Sequence, residues 1–191
     1  MTGVGADEAL GEVVTDAGFR AAMGRFASGV TVVTTRVAGE DLGATVSAFS
    51  SLSNDPPSVL VCLNASSETC QGVQASGAFT VNVLARDQTD VALRLAGKGR
   101  GKLDGMLVER SPRLGHAVLS GSHATIECAL TRAVPSGTHV VLLADVLSIR
   151  LGQRSRPLTY HAGAFGRFVE ERGSRGRVVL PDFHSHESDL W

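Results

Sequence analysis

The chain has 191 residues and a mass of 19.9 kDa, the length of one domain with some to spare. Apolar residues make up 43% and charged residues 19%, a composition that excludes a disordered chain. Eighteen basic residues against 19 acidic ones leave a net charge of −1, which speaks against a surface built for nucleic acid. The cysteines, Cys62, Cys70 and Cys128, form no CxxC pair. Neither a disulfide framework nor a metal site is expected, and a reduced cytoplasm is the simplest compartment. The acidic first residues argue against a signal peptide. No apolar run approaches the ~18 residues of a membrane span.

Residues 1–15 read as a flexible leader. Asp16 is expected to cap a helix whose stripe is Phe19, Ala22, Met23 and Phe26, ending near Gly29, with Phe26 docked on the rest of the fold. GVTVVTTRV (29–37) is β-branched and reads as a strand. A turn at 38–41 leads to one extended run, LGATVSAFSSLS (42–53), which Asp55-Pro56-Pro57 breaks. SVLVCLN (58–64) is apolar at nearly every position, the pattern of a strand buried on both faces. A short helix spans 66–77, capped by Ser66 or Ser67 and closed by Gly77. AFTVNVLA (78–85) is a strand, and Asp87 is expected to cap a helix to Ala96. GKGRGK (97–102) is a loop. Residues 117–134 form one or two strands, PSGT (135–138) a turn, 139–151 a long strand, and 157–168 a last strand region. The chain from 170 to 191 is a polar tail. Strands dominate and helices are short, so the fold is mainly β: a closed or nearly closed barrel with helices over its ends.

There is no GxSxG elbow, no HExxH and no Walker A motif. GKGRGK fails as Walker A because Leu103 follows Lys102, and it fails as a dinucleotide fingerprint because it follows a helix. It is either a solvated basic turn or a loop whose amides and Lys98, Arg100 and Lys102 meet a phosphate. FHSHESD (183–189) reads as a solvated terminus and not as a metal tract. The informative stretch is 42–70. Thr45, Ser47, Ser50, Ser51 and Ser53 lie along one extended run, and Asn64, Ser66, Ser67 and Thr69 follow the next. A buried hydroxyl without a partner costs about 1–3 kcal/mol, so these groups bond each other, the backbone or a polar ligand. They are either a Ser/Thr-rich strand edge or a ligand site. A flavin suits the second reading: its ring needs an apolar wall and amides, its ribityl chain hydroxyls, and its phosphate a helix N-terminus.

Five blocks in fixed order carry a resemblance: FRAAMGRFASGVTVVTT (19–35), GATVSAFSSLSNDPPSVLVCLNASSET (43–69), SGAFTVNVLARDQ (76–88), SGTH (136–139) and YHAGAFGRF (160–168). Together they resemble the flavin reductase-like family, FMN-binding split barrels that serve as reductase components of two-component flavin-dependent monooxygenases. The resemblance implies a homodimeric split β-barrel of Greek-key type over 16–169, with FAD or FMN at the subunit interface and NADH, or NADPH, as hydride donor. It implies that Thr45, Val46, Ser47 and Ala48 line the flavin edge and that Ser51 lies near the ribityl chain or phosphate. Cys62, Leu63, Asn64 and Ala65 would pass along the ring, Ser67 and Thr69 hold phosphate, and Lys98, Gly99 and Lys102 stand near the phosphate or adenylate end. His139 would be the catalytic-site residue beside the nicotinamide, and Tyr160 would close that site. Relatives commonly read Tyr-x-Arg-Gly-x-Tyr-Gly in the last block, whereas this chain has Ala162 and Phe165 at the arginine and second tyrosine. The expected partners are a second copy and a separate monooxygenase, with no nucleic acid and no membrane. Two alternatives keep the barrel: a tightly held flavin acting on another substrate, or a non-catalytic flavin- or haem-binding barrel.

Overall fold

A computed structural model describes residues 14–153 and 156–169. The leader up to residue 13 and the tail from 170, with the His-containing stretch 183–189, lie outside the described residues.

Helix α1 spans Asp16–Gly24. Its N-cap is Thr15 and not Asp16: the Thr15 hydroxyl accepts from the Gly18 amide at 3.1 Å, which leaves Asp16 in the first turn, where its charge suits the helix dipole. The helix stops at Arg25, four residues before Gly29. None of its residues is buried, and Phe19, Met23 and Phe26 are 57%, 55% and 77% exposed. The expected docking of Phe26 on its own chain therefore does not occur.

Strands β1 (Ser28–Gly29) and β2 (Thr31–Val37) follow. The extended run at 42–53 is two strands, β3 (Glu40–Val46) and β4 (Phe49–Asn54). A corner at Ser47–Ala48 separates them, where the Phe49 amide donates back to the Ser47 carbonyl at 3.1 Å. Next come β5 (Pro57–Asn64), α2 (Glu68–Ser76), β6 (Ala78–Val83) and α3 (Thr89–Ala96). The N-cap of α3 is Gln88, not Asp87. Its side chain is spent elsewhere, accepting from the Ala85 amide and donating to the Ser120 carbonyl, both at 2.9 Å. A short β7 (Val108–Arg110), which the sequence did not announce, pairs with β8 (Ala117–Leu119). The 117–134 region is thus two strands, the second being β9 (Ala124–Ser136). β10 (His139–Leu151), β11 (Leu158–His161) and β12 (Ala164–Arg167) complete the chain.

Seven strands form one sheet in the order β3-β2-β6-β9-β10-β5-β4. Its two edge strands, β3 and β4, are consecutive in sequence and share only the two-residue corner. The sheet must therefore curl until its edges meet at that corner. The Cys62 amide pins it there by donating to the Ala48 carbonyl at 3.0 Å.

The curl creates two apolar compartments with opposite faces of the same strands. On β2, Val33 enters one and Val32 the other, as a period of two requires. The first gathers Val46, Val59, Val61, Leu63, Phe79, Val81, Val140 and Leu142 with Cys70 and Val73 of α2. The second gathers Leu84, Leu119 and Leu158 with Ala92 and Leu95 of α3. β5 is not buried on both faces. Val59, Val61 and Leu63 are buried, while Ser58, Leu60 and Cys62 between them are half-buried. The half-buried face is what the site uses.

Candidate flavin cavity

A cavity of about 620 Å³ opens where the β3–β4 corner, the end of β5, the start of α2 and the 97–102 loop converge. Of the residues singled out in the sequence, Thr45, Val46, Ser47, Ala48, Cys62, Leu63, Asn64, Ser67, Thr69, Lys98, Gly99, Lys102 and His139 line it. Ser51, Ala65 and Tyr160 do not. Ser51 is exposed on β4, beyond the corner. Ala65 follows β5 into a turn, its amide donating to the Thr138 carbonyl at 3.0 Å. Tyr160 belongs to the separate β1-β11-β12 sheet, its ring 5.4 Å from that of Phe165 in an edge contact.

The wall from 42 to 46 is an edge strand. β3 pairs with β2 alone, so its outward N–H groups have no strand partner. Such amides can meet a flat ligand with a polar rim. Gly43 lets Leu103 of the core pack closely behind this wall: a Cβ there would stand 3.3 Å from Leu103 Cδ1. The second wall is the open face of β5. Asn64 lies opposite His139 in the β5–β10 register, which carries the imidazole to the same end. His139 Nδ1 lies 2.9 Å from the Thr138 hydroxyl, a contact that orients the ring.

The far end is the N-terminus of α2. The Ser67 hydroxyl accepts from the Cys70 amide at 3.1 Å, so Ser67, and not Ser66, is the cap. Ser66 instead donates its hydroxyl to the Asn64 side-chain oxygen at 2.7 Å. Gly77 closes the helix in the left-handed region at φ 71°, as expected. The 97–102 loop faces this end. Lys102 Nζ donates to the Leu95 and Gly97 carbonyls at 3.2 and 3.0 Å, which caps α3 and anchors the loop. Burial lowers the Lys102 pKa, against the pull of Glu68.

Several of the hydroxyls do not depend on a ligand for partners. Thr45 donates to the Ala92 carbonyl at 2.7 Å, Ser50 to the Ser51 carbonyl, and Ser53 to the Asp55 carbonyl. Among the described residues no buried side-chain polar atom lacks a partner. The apolar wall, the open strand edge and the helix N-terminus fit a flavin better than the hydroxyl count does. Arg100, expected with Lys98 and Lys102 in a loop that could meet a phosphate, lines the cavity, and so do Asp41, Leu42, Gly43, Ala44 and Glu68, which the sequence did not single out. The β3 positions could have been found by extending the 45–48 wall backwards along its strand.

The cysteines are not equivalent. Cys62 lines the cavity, while burial raises the thiol of Cys70 and pushes that of Cys128 up to about 12. All three are free thiols.

Residues 23–168 match the family described as "Flavin reductase like domain", and the chain belongs to that family. It is 37% identical over 167 residues to the reductase component of a 4-nitrophenol 4-monooxygenase/4-nitrocatechol 2-monooxygenase from Rhodococcus opacus, covering 86% of this chain and 87% of that one. It is 35% identical over 165 residues to the reductase subunit HsaB of a flavin-dependent monooxygenase from Rhodococcus jostii, covering 86% and 83%. Among solved structures, the NADH:FAD oxidoreductase SgcE6 of Streptomyces globisporus, in complex with NAD and FAD fragments, superposes with a TM-score of 0.78. The two are 30% identical, over 83% of this chain and 98% of that one. Among the described residues no helix is long and apolar enough to cross a membrane.

Proposed function

We propose that the chain is an NAD(P)H:flavin oxidoreductase that reduces free FAD or FMN and supplies the reduced flavin to a separate monooxygenase. The observation that carries this reading is the convergence of the β3 edge, the β5 face, the α2 N-terminus and His139 on one cavity. The relatives named as reductase components support it. A bound flavin supplies a ring that accepts hydride and later releases the electrons to oxygen chemistry elsewhere. The chain's own residues do the rest. The outward amides of 42–48 hold the polar rim of the ring and favour negative charge gathering there. Cys62, on the half-buried face of β5, gives it an apolar floor. Ser67 and the first amides of α2 hold the phosphate. His139, oriented by Thr138, positions the nicotinamide by a hydrogen bond and is not required as a proton donor.

In this reading the unit is a homodimer of split barrels. The sheet whose edges meet only at Ser47–Ala48 fits a split barrel, and the apolar face of α1 fits burial against a second copy. Tyr160, outside its own chain's cavity, would then close the site from the partner copy, in a single domain spanning 16–169. Such a dimer would work in the cytoplasm.

Steady-state oxidation of NADH and of NADPH, each with FMN, FAD or riboflavin, tests the reading. Nicotinamide oxidation that scales with added free flavin is expected. Oxidation indifferent to added flavin, from a protein that stays yellow through dialysis, would favour a fixed prosthetic group. No oxidation with any pair would refute the enzyme reading.

A further inference from the structure

A cation at the start of α2 is already paired. Arg100 donates from Nε to Glu68 Oε1 at 3.0 Å and from a terminal nitrogen to Glu40 Oε2 at 2.8 Å. Glu40 opens β3 and Glu68 is the first residue of α2, so one guanidinium on the cavity lining ties the start of β3 to the start of α2. The backbone favours this placement. Gly99 and Gly101, on either side of Arg100, sit at φ 96° and 67°, a region that suits glycine, and Lys102 fixes the loop behind them.

A phosphate received at Ser67 and Thr69 would lie beside the Glu68 carboxylate. Two like charges there repel, although the helix terminus itself favours an anion. Relief comes from the same arginine. Its pairs are solvent-facing, with the Arg100 side chain 65% exposed, so little is lost by breaking them. A phosphate oxygen matches the guanidinium fork as well as a carboxylate does.

Resting on the flavin reading above, we infer that Arg100 is an exchangeable phosphate-binding residue: Glu40 and Glu68 hold it beside the cavity, and the flavin phosphate takes it from them. The two carboxylates act as built-in competitors. They weaken the hold on phosphorylated flavin and so suit an enzyme that must release its product. Riboflavin, which has no phosphate, is blind to the exchange.

The test is equilibrium titration of FMN and of riboflavin, followed by quenching of flavin fluorescence. It uses full-length wild type, Arg100→Gln, Glu68→Gln and Glu40→Gln, at low and high salt. Removing either competitor is expected to tighten FMN binding about two- to fivefold, the scale of an exposed ion pair. Arg100→Gln is expected to weaken FMN binding about tenfold, the scale of a charge-assisted hydrogen bond. Riboflavin affinity stays unchanged in all three variants, and the FMN differences shrink at high salt. Glu40→Gln serves as the check on Glu68→Gln, because it leaves the first turn of α2 untouched. An unchanged FMN affinity in Arg100→Gln, weaker FMN binding in both glutamate variants, or riboflavin shifts as large as those of FMN would overturn the inference. Wild type that binds neither flavin would remove the flavin reading itself, and the inference with it.

Discussion

Ser67 has two roles that can be separated by experiment. Its hydroxyl oxygen caps α2 by accepting from the Cys70 amide at 3.1 Å, and its proton is the group expected to meet the flavin phosphate. Ser67→Ala removes both. Loss of an N-cap costs about 1 kcal/mol, within a range of roughly 0.5–2, whereas glycine at the same position costs only a few tenths. For a domain of this size, 1 kcal/mol corresponds to about 2–4 °C in Tm. Ser67→Ala is therefore expected to melt about 2–4 °C below wild type without ligand, and Ser67→Gly within about 1 °C of it. The phosphate contact does not follow the cap. A hydrogen bond to a charged group is worth about 1.5–3 kcal/mol, so both variants should lose FMN affinity by roughly tenfold or more and keep riboflavin affinity. Thermal melts without ligand and flavin titrations on the same samples give both readouts. The reasoning is refuted if FMN affinity tracks stability, falling in the alanine variant and not in the glycine one.

Other predictions follow from single contacts. His139→Ala should raise KM for the nicotinamide several-fold and leave FMN binding unchanged, since Asn64 and the β5 face remain; steady-state kinetics beside a flavin titration check this. Glu127 is buried, and its carboxylate accepts from the Arg113 and Leu114 amides at 3.1 and 2.8 Å and from Ser148. Glu127→Ala should therefore cost about 1.5–3 kcal/mol in denaturant unfolding, because it removes a charged acceptor from three hydrogen bonds. Stability should also fall in acid in two stages. Burial holds His116 below the ordinary histidine value of 6.5, against the pull of Glu127 and Asp41. The unfolded chain then takes up a proton first, so stability is full above 6.5 and declines as pH drops below it. Burial raises Glu127 and Asp41, but hydrogen bonds outweigh it, from Ser111, Ser148 and two amides for Glu127 and from Arg110 and Arg36 for Asp41. Their folded values are depressed, so their contribution is present above the ordinary 4.5 and 3.8 and is lost as pH falls further. Stability against pH for wild type and His116→Asn should differ in the upper stage alone.

What could be read from the sequence was set by local rules. The β-branched run at 31–37, the serine-capped helix before Gly77 and the long strand from His139 each follow from a side-chain period or a cap. The corner at Ser47–Ala48 could not be read this way. Both flanking stretches are extended, and only the demand that β3 and β4 lie at opposite ends of one sheet breaks the run. The caps Thr15 and Gln88 were missed for a related reason. An aspartate stands one residue away from each; Thr15 caps with its hydroxyl, whereas Gln88 holds the cap position with its side chain bonded elsewhere, and no local pattern decides between them. In the site, the 45–48 and 62–69 stretches were legible because they are contiguous. Arg100 was legible as a cation of a candidate phosphate loop, but its two carboxylate partners, 60 and 32 residues away, were not. The hydroxyl-rich stretch misled in part, since Thr45 spends its hydroxyl on an α3 carbonyl that no local pattern reveals.

The central claim is that flavin occupies the cavity between the β3 edge, the β5 face and the start of α2. Amide hydrogen exchange of the full-length protein with and without saturating FMN tests it most directly. The account predicts added protection at residues 42–48, 62–69 and 97–102. Protection confined to other segments, or none at saturation, would contradict it.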